Sequence, residues 1–167
     1  RRQQPHHAAD VAPCGGRRRG ATQAPLPGGL RPVSNVGPDD NVIEIGPGIG
    51  VLTRELLRRA KHVTAIEIDQ RFIPLLTAFV DKKTVPKLTV INGSALDTRL
   101  PSDEPYKVVA NIPYHITSPL MRHLLMETER LPESLTLLIQ LEVAENITSE
   151  TGSNLVGILA QLYGKPI

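Results

Sequence analysis

Three closely spaced glycines lie between a β-branched run and a helical pattern. The segment is Glu44-Ile-Gly46-Pro-Gly48-Ile-Gly50, and glycines at a strand-to-helix turn let a ligand approach the backbone closely. Glu67 ends the next β-branched run, 21 residues after Gly46. A carboxylate in that place can accept hydrogen bonds from both ribose hydroxyls of an adenosine cofactor. Together these features predict a nucleoside-cofactor site, the alternative being a tight turn beside a surface acid.

The glycine spacing bears on which cofactor binds. It is G-x-G-x-G rather than the G-x-G-x-x-G of dinucleotide sites, where the helix N-terminus receives a pyrophosphate. S-adenosylmethionine has no pyrophosphate but carries an amino-acid zwitterion, and Glu44 can attract its ammonium end. The pattern favours S-adenosylmethionine while leaving a dinucleotide open.

A second block, Asn111-Ile112-Pro113-Tyr114, directly follows another apolar run. In an open α/β sheet, ligands bind at the carboxyl ends of the strands. The Asn111 side-chain oxygen and the Ile112 carbonyl can accept the hydrogens of an adenine amine and localise its lone pair for attack on a methyl group. Pro113 fixes the turn, and Tyr114 offers a face for an extruded base. The alternative is an ordinary strand-to-helix turn with a packed tyrosine.

Alternating strands and helices must position these residues. The patterns predict strands at 42–45, 62–68, 88–91, 106–110 and 135–139, and helices at 49–60, 70–80, around 120–125, from 143 and at 154–162. Thr117 or Ser118 is expected to cap the third helix. Such alternation predicts an α/β fold with a mostly parallel sheet.

Composition separates residues 1–35 from residues 36–167. The first segment contains six arginines, one acid, five prolines, five glycines and few aliphatic side chains, although the whole chain has a net charge of only +2. It is predicted to be a disordered basic tail or a misread start. The single cysteine argues against a disulfide scaffold, no metal site is expected, and no apolar run is long enough to cross a membrane. We therefore expect a cytoplasmic protein.

Five segments, in this order, closely resemble the KsgA-type ribosomal RNA adenine N6,N6-dimethyltransferases. They are VIEIGPGIGVLT, AIEID, NGSALD, VVANIPYHITSPL and IQLEVAENI, of which NIPYHITSP is the most specific. The resemblance covers about residues 36–165 and implies a Rossmann-like class I S-adenosylmethionine-dependent methyltransferase domain. It also implies that this domain is incomplete at its C-terminus and that the small helical domain of the family is absent.

The resemblance assigns roles to individual residues. Gly46, Gly48, Glu67, Ser94 and Asn111 would bind the cofactor. Asn111, Pro113 and Tyr114 would hold the target amine and carry catalysis. Ser94 departs from the family, which commonly has Asp there, so its bond to the adenine amine of the cofactor would lack charge.

The implied activity is dimethylation of adenine N6 in small-subunit ribosomal RNA, with the small-subunit particle as partner and a monomeric enzyme. One alternative is a large-subunit rRNA adenine methyltransferase that confers antibiotic resistance. The residues Thr117-Ser118-Pro119 favour the small-subunit group. A second alternative is a non-catalytic RNA-binding assembly factor. The resemblance finds no counterpart here for the family's N-terminal segment that closes over the cofactor or for its loop that clamps the target base, which favours this alternative for these 167 residues.

Overall fold

The computed structural model describes residues 35–100, 103–112, 114–148 and 155–164. Within these ranges the strands are β1 (Asn41–Ile45), β2 (His62–Glu67), β3 (Leu88–Asn92), β4 (Tyr106–Asn111) and β5 (Ser134–Leu138). The helices are α1 (Val51–Leu57), α2 (Phe72–Phe79), α3 (Thr117–Arg122), α4 (Leu141–Thr148) and α5 (Leu155–Tyr163). Each predicted strand and helix is therefore present, with ends that differ by a few residues. The predicted tail lies almost entirely outside the described residues.

The five strands form one parallel sheet in the order β3-β2-β1-β4-β5. In register, Glu67 lies opposite Asn92 and Asn111 lies opposite Leu138. The predicted α/β fold with a parallel sheet is confirmed. Because all strands run the same way, the glycine turn after β1 and the last residues of β2, β3 and β4 meet at one edge, called here the carboxyl edge.

Helices cover both faces of the sheet. On one face, Ile43 and Ile45 of β1 belong to a buried cluster with Leu120 and Leu124. On the other face, Val42 packs with Leu56 and Leu57 of α1 and with other buried residues. Since side chains alternate along a strand, Glu44 points to the same face as Val42, between β1 and α1.

The start of α3 differs from the sequence prediction. Ile116 occupies the N-cap position, and neither Thr117 nor Ser118 provides a side-chain cap. Thr117 is instead buried, and its hydroxyl has no hydrogen-bond partner among the described residues. A 3₁₀ turn, Tyr114–Ile116, leads directly into the helix, and one π-helical turn, His123–Glu127, continues it. The expected cap was wrong because the 3₁₀ turn ends at Ile116, which takes the N-cap position and has no polar side chain. Thr117 and Ser118 are therefore already inside the helix.

No helix in the described part of the chain is both long and apolar enough to cross a membrane.

Candidate functional site

The glycine turn after β1 depends on backbone conformations that L side chains rarely adopt. Gly46, Gly48 and Gly50 have φ angles of +71°, +55° and +91°, all in the region that favours glycine. The Gly46 N–H donates to the Ile66 carbonyl at 3.0 Å, and the Gly50 carbonyl accepts the Arg54 N–H at the start of α1. The sequence folds this way because three glycines let the chain leave β1 and enter α1 within five residues.

Glu67 ties the glycine turn to the end of β2. Its Oε2 accepts the Gly48 N–H at 3.0 Å and its Oε1 accepts the Asp69 N–H at 2.9 Å. The side chain is buried. A carboxylate has about four acceptor positions, so each oxygen keeps capacity for one more donor. The arrangement can therefore hold the loop and still accept two hydroxyl groups.

Asn92 is a supporting residue that the sequence patterns did not single out. Its Nδ2 donates to the Glu67 carbonyl at 2.9 Å, which fixes the backbone that carries the Glu67 carboxylate. An amide residue at the last position of β3, next to the residue that ends β2, is the signal that could have identified it.

Glu44 is buried in the sheet beneath this turn, with 1% of its surface exposed. Burial raises the pKa of its carboxyl from 4.5 to about 7, and the negative charge of Glu67 adds to that rise, while the nearby Thr53 hydroxyl opposes it. Neither Glu44 Oε2 nor the Thr53 hydroxyl has a partner of good hydrogen-bond geometry among the described residues. The carboxyl that was predicted to attract the ammonium end of the cofactor is therefore protonated in a substantial fraction of the molecules at neutral pH.

Asn111 ends β4 next to the glycine turn. A Cβ added at Gly46 would lie 3.4 Å from the Asn111 carbonyl oxygen, and the Asn111 residue itself is exposed. The Ile112 N–H donates to the Leu138 carbonyl at 3.2 Å, so the β4–β5 ladder runs one step beyond Asn111. Pro113 lies outside the described residues, and of Tyr114 only the backbone turn is described. The structure thus brings Asn111 and the glycine turn together.

Ser94 lies just beyond β3 at the same edge and is half-buried. Its hydroxyl oxygen accepts the Leu96 N–H at 3.2 Å, and its carbonyl accepts the N–H groups of Asp97 and Thr98. Ser94 therefore starts the turn that follows β3. Its hydroxyl retains a hydrogen to donate and further acceptor capacity.

The site residues fit an adenosine-type cofactor on three observations. A Cβ added at Gly48 would meet nothing within 4 Å, so space lies beside the backbone there. Glu67 keeps acceptor capacity next to that space, and the Ile68 side chain is 73% exposed at the rim. An exposed aliphatic side chain beside a carboxylate with remaining acceptor capacity is suited to contact the base of a nucleoside.

Comparisons with known proteins agree with this geometry. The family model described as ribosomal RNA adenine dimethylase matches residues 32–163, and the chain belongs to that family. It is 44% identical over 134 residues to Ribosomal RNA small subunit methyltransferase A of Dehalococcoides mccartyi strain CBDB1, covering 77% of this chain and 45% of the relative. The protein of the same name from Clostridium perfringens strain SM101 is 43% identical over 132 residues, with 75% and 45% covered. The chain spans less than half the length of these relatives.

Two solved structures are similar as well. The dimethyladenosine transferase from Plasmodium falciparum aligns with a TM-score of 0.65 at 32% identity, covering 78% of this chain and 47% of that one. The 23S rRNA methyltransferase ErmE aligns with a TM-score of 0.59 at 38% identity, covering 68% and 45%. The predicted Rossmann-like class I methyltransferase fold is confirmed by these likenesses.

Proposed function

We propose that this member of the ribosomal RNA adenine dimethylase family is the cofactor-binding part of an enzyme that dimethylates adenine N6 in small-subunit ribosomal RNA, with S-adenosylmethionine as methyl donor. The observation that carries the proposal is the contact between two sites at the carboxyl edge. An adenosine-type site around Glu67 and the glycine turn adjoins Asn111, and both lie inside the region matched by the family model. Residues 36–167 would form this part.

Gly46, Gly48, Glu67, Ser94 and Asn111 are proposed to bind the cofactor. Glu67 would accept the ribose hydroxyls with the acceptor capacity left after its bonds to Gly48 and Asp69. Gly46 and Gly48 would admit the cofactor against the backbone, as the open space beside Gly48 supports. Ser94 would offer its hydroxyl oxygen to the adenine amine.

Asn111, Pro113 and Tyr114 are proposed to position the target base. When bound, the cofactor supplies a methyl group on a positively charged sulfur. The Asn111 side-chain oxygen and the Ile112 carbonyl would accept the two hydrogens of the target amine, which keeps its lone pair available and stabilises the charge that develops on nitrogen. Tyr114 would stack on the extruded base, and Pro113 would fix the turn between them.

The partner is proposed to be the small-subunit particle, on the basis of the names that the bacterial relatives carry. An enzyme with that substrate acts in the cytoplasm, and a monomer suffices because both proposed sites lie on one chain. The similarity to ErmE supports a second candidate, a large-subunit rRNA adenine methyltransferase.

A methylation assay distinguishes these functions. The chain is incubated with methyl-labelled S-adenosylmethionine and, separately, with unmethylated small-subunit particles and large-subunit rRNA, and the RNA nucleosides are analysed by mass. We expect N6,N6-dimethyladenosine in the small-subunit RNA only. Methylation confined to large-subunit RNA would establish the second candidate.

Binding without methylation is the third outcome of the assay. If the chain binds small-subunit particles and S-adenosylmethionine but transfers no methyl group, the non-catalytic assembly factor becomes the better description. Asn111→Ala is the matched control for this outcome. It leaves the residues proposed around the ribose intact, so it should still bind S-adenosylmethionine but transfer little methyl group.

A further inference from the structure

Glu44 is a buried carboxyl that the proposed methyl transfer does not use. It lies in the middle of the sheet, with Ala65 of β2 on one side and Val109 of β4 on the other. Its Oε2 has no hydrogen-bond partner in the described part of the chain, and neither has the buried Thr53 hydroxyl on α1. An unsatisfied carboxyl oxygen this deeply buried is costly, and ionising it without a nearby cation adds to that cost.

The ionisable surroundings of Glu44 are few among the described residues. From β2, Glu67 faces it and is the neighbouring group whose charge acts on it. From β4, the same face presents Lys107, Val109 and Asn111, and from α1 it presents Thr53. Of these only Lys107 is charged; it lies opposite Val42 at the start of the strand, where its ammonium pairs with Asp40 at 2.6 Å. The next α1 residue, Arg54, places its guanidinium over the Phe79 ring at 4.8 Å and its Nε 3.6 Å from Glu55. Because Lys107 pairs with Asp40 and Arg54 faces Phe79 and Glu55, neither of these cations is paired with an ionised Glu44.

We propose that Glu44 is a proton-linked positioning residue, protonated in much of the free protein and ionised when a cationic nucleoside cofactor binds at the glycine turn. The inference rests on the proposed function, since it takes S-adenosylmethionine as the ligand. S-adenosylmethionine carries two positive groups, a sulfonium and an ammonium, and one carboxylate of its own. Its net positive charge would stabilise an ionised Glu44. The only covalent change is loss of the carboxyl proton, which passes to the buffer.

Proton linkage predicts how affinity depends on pH. If binding requires the ionised carboxyl, affinity for S-adenosylmethionine rises about eightfold between pH 6 and pH 7.5, because less of the free protein must give up a proton. At pH 6.5, binding releases about 0.8 proton. S-adenosylhomocysteine has a neutral sulfur and should release fewer protons, since it stabilises the ionised form less.

Isothermal titration calorimetry of the 167-residue chain tests this proposal. S-adenosylmethionine is titrated at pH 6.5 in two buffers of different ionisation enthalpy, which counts released protons, and at pH 6 and 7.5 for affinity. Glu44→Gln keeps the shape of the side chain but cannot ionise, so it should release no protons and show a nearly constant affinity. Glu55→Gln, an exposed carboxyl on α1 paired with Arg58 at 2.7 Å, is the matched control and should behave like the wild type.

Each outcome decides a separate point. Binding by the wild type without proton release overturns the inference and leaves the proposed function intact, whether or not Glu44→Gln folds. The same holds if wild type and Glu44→Gln release equal numbers of protons, which would place the titration on the ligand or on another residue. Absence of S-adenosylmethionine binding at every pH contradicts the proposed function itself.

Discussion

Replacing Glu44 with Gln should make the protein more stable at alkaline pH, although a buried side chain is being changed. The wild-type carboxyl is almost fully buried beneath the glycine turn. An ionised carboxylate at this position is shielded from water and has no paired cation among the described residues, so ionisation costs stability. An amide of the same shape stays neutral at every pH. The effect concerns folding alone and needs no cofactor.

The magnitude follows from the pKa of Glu44, which burial raises from 4.5 to about 7 in the folded protein. Between these values the folded chain keeps a proton that the unfolded chain has lost. The stabilisation is thus complete below pH 4.5 and disappears as pH rises through 7. At about 1.4 kcal/mol for each pKa unit, the loss amounts to about 3 kcal/mol.

Other carboxyls change stability in the opposite direction. The Arg71 guanidinium holds the pKa of Asp69 at about 2, and the pKa of Glu104 is lowered by its hydrogen bond from Lys61. Their stabilisation is present above their unfolded pKa values and is lost in acid. These contributions are the same in wild type and Glu44→Gln, so the difference between the two proteins isolates Glu44.

Urea unfolding followed by circular dichroism measures that difference. Wild type, Glu44→Gln and the surface control Glu55→Gln are compared at half-unit steps from pH 5 to pH 8.5. Relative to wild type, Glu44→Gln should gain about 2–3 kcal/mol across this range, and Glu55→Gln should gain nothing. Parallel curves for wild type and Glu44→Gln would refute the reasoning, because they would mean that Glu44 titrates alike in folded and unfolded chains.

Three further substitutions test the proposed site. Glu67→Ala should weaken S-adenosylmethionine binding by about 1–3 kcal/mol in calorimetry, because the ribose hydroxyls and the Gly48 N–H lose their acceptor; unchanged affinity would argue against the ribose role. Ser94→Asp should tighten binding by about 1 kcal/mol, since a charged acceptor makes the stronger bond, and weaker binding would show that Ser94 does not face the cofactor. Asn111→Ala should lower single-turnover methylation of small-subunit particles about a hundredfold and cofactor affinity far less, because its bond to the target amine strengthens only in the transition state; a normal rate would remove Asn111 from the mechanism.

Local patterns were sufficient to predict the secondary structure and the glycine turn. The run before Gly46 is β-branched and the segment after Gly50 has helical spacing, and both are properties of neighbouring residues. The two features lie on β1 and α1 as expected. The end of α3 was not predictable in this way, because its π-helical turn, His123–Glu127, carries no distinct spacing.

The state of Glu44 could not be predicted because it depends on burial. In the sequence it is an acid within an apolar run, and such an acid can sit at a water-filled cleft or in the core. Packing of α1 over β1 decides this, since Leu56 and Leu57 cover the same face of the sheet. The sequence therefore predicted a carboxyl near the cofactor, whereas its partial protonation appears only with the folded structure.

The contact between Gly46 and Asn111 joins the two proposed sites more closely than either motif implied. The residues are far apart in the chain, and they meet because β4 pairs directly with β1, with Ile45 opposite Ala110. A Cβ at Gly46 would lie in van der Waals contact with the Asn111 carbonyl oxygen at 3.4 Å, so the positive φ is the feature that requires glycine there. The pairing of β4 with β1 therefore holds Asn111 directly against the glycine turn. With the cofactor bound at the turn and the target amine at Asn111, as proposed, this contact supplies the proximity that transfer between two bound molecules requires.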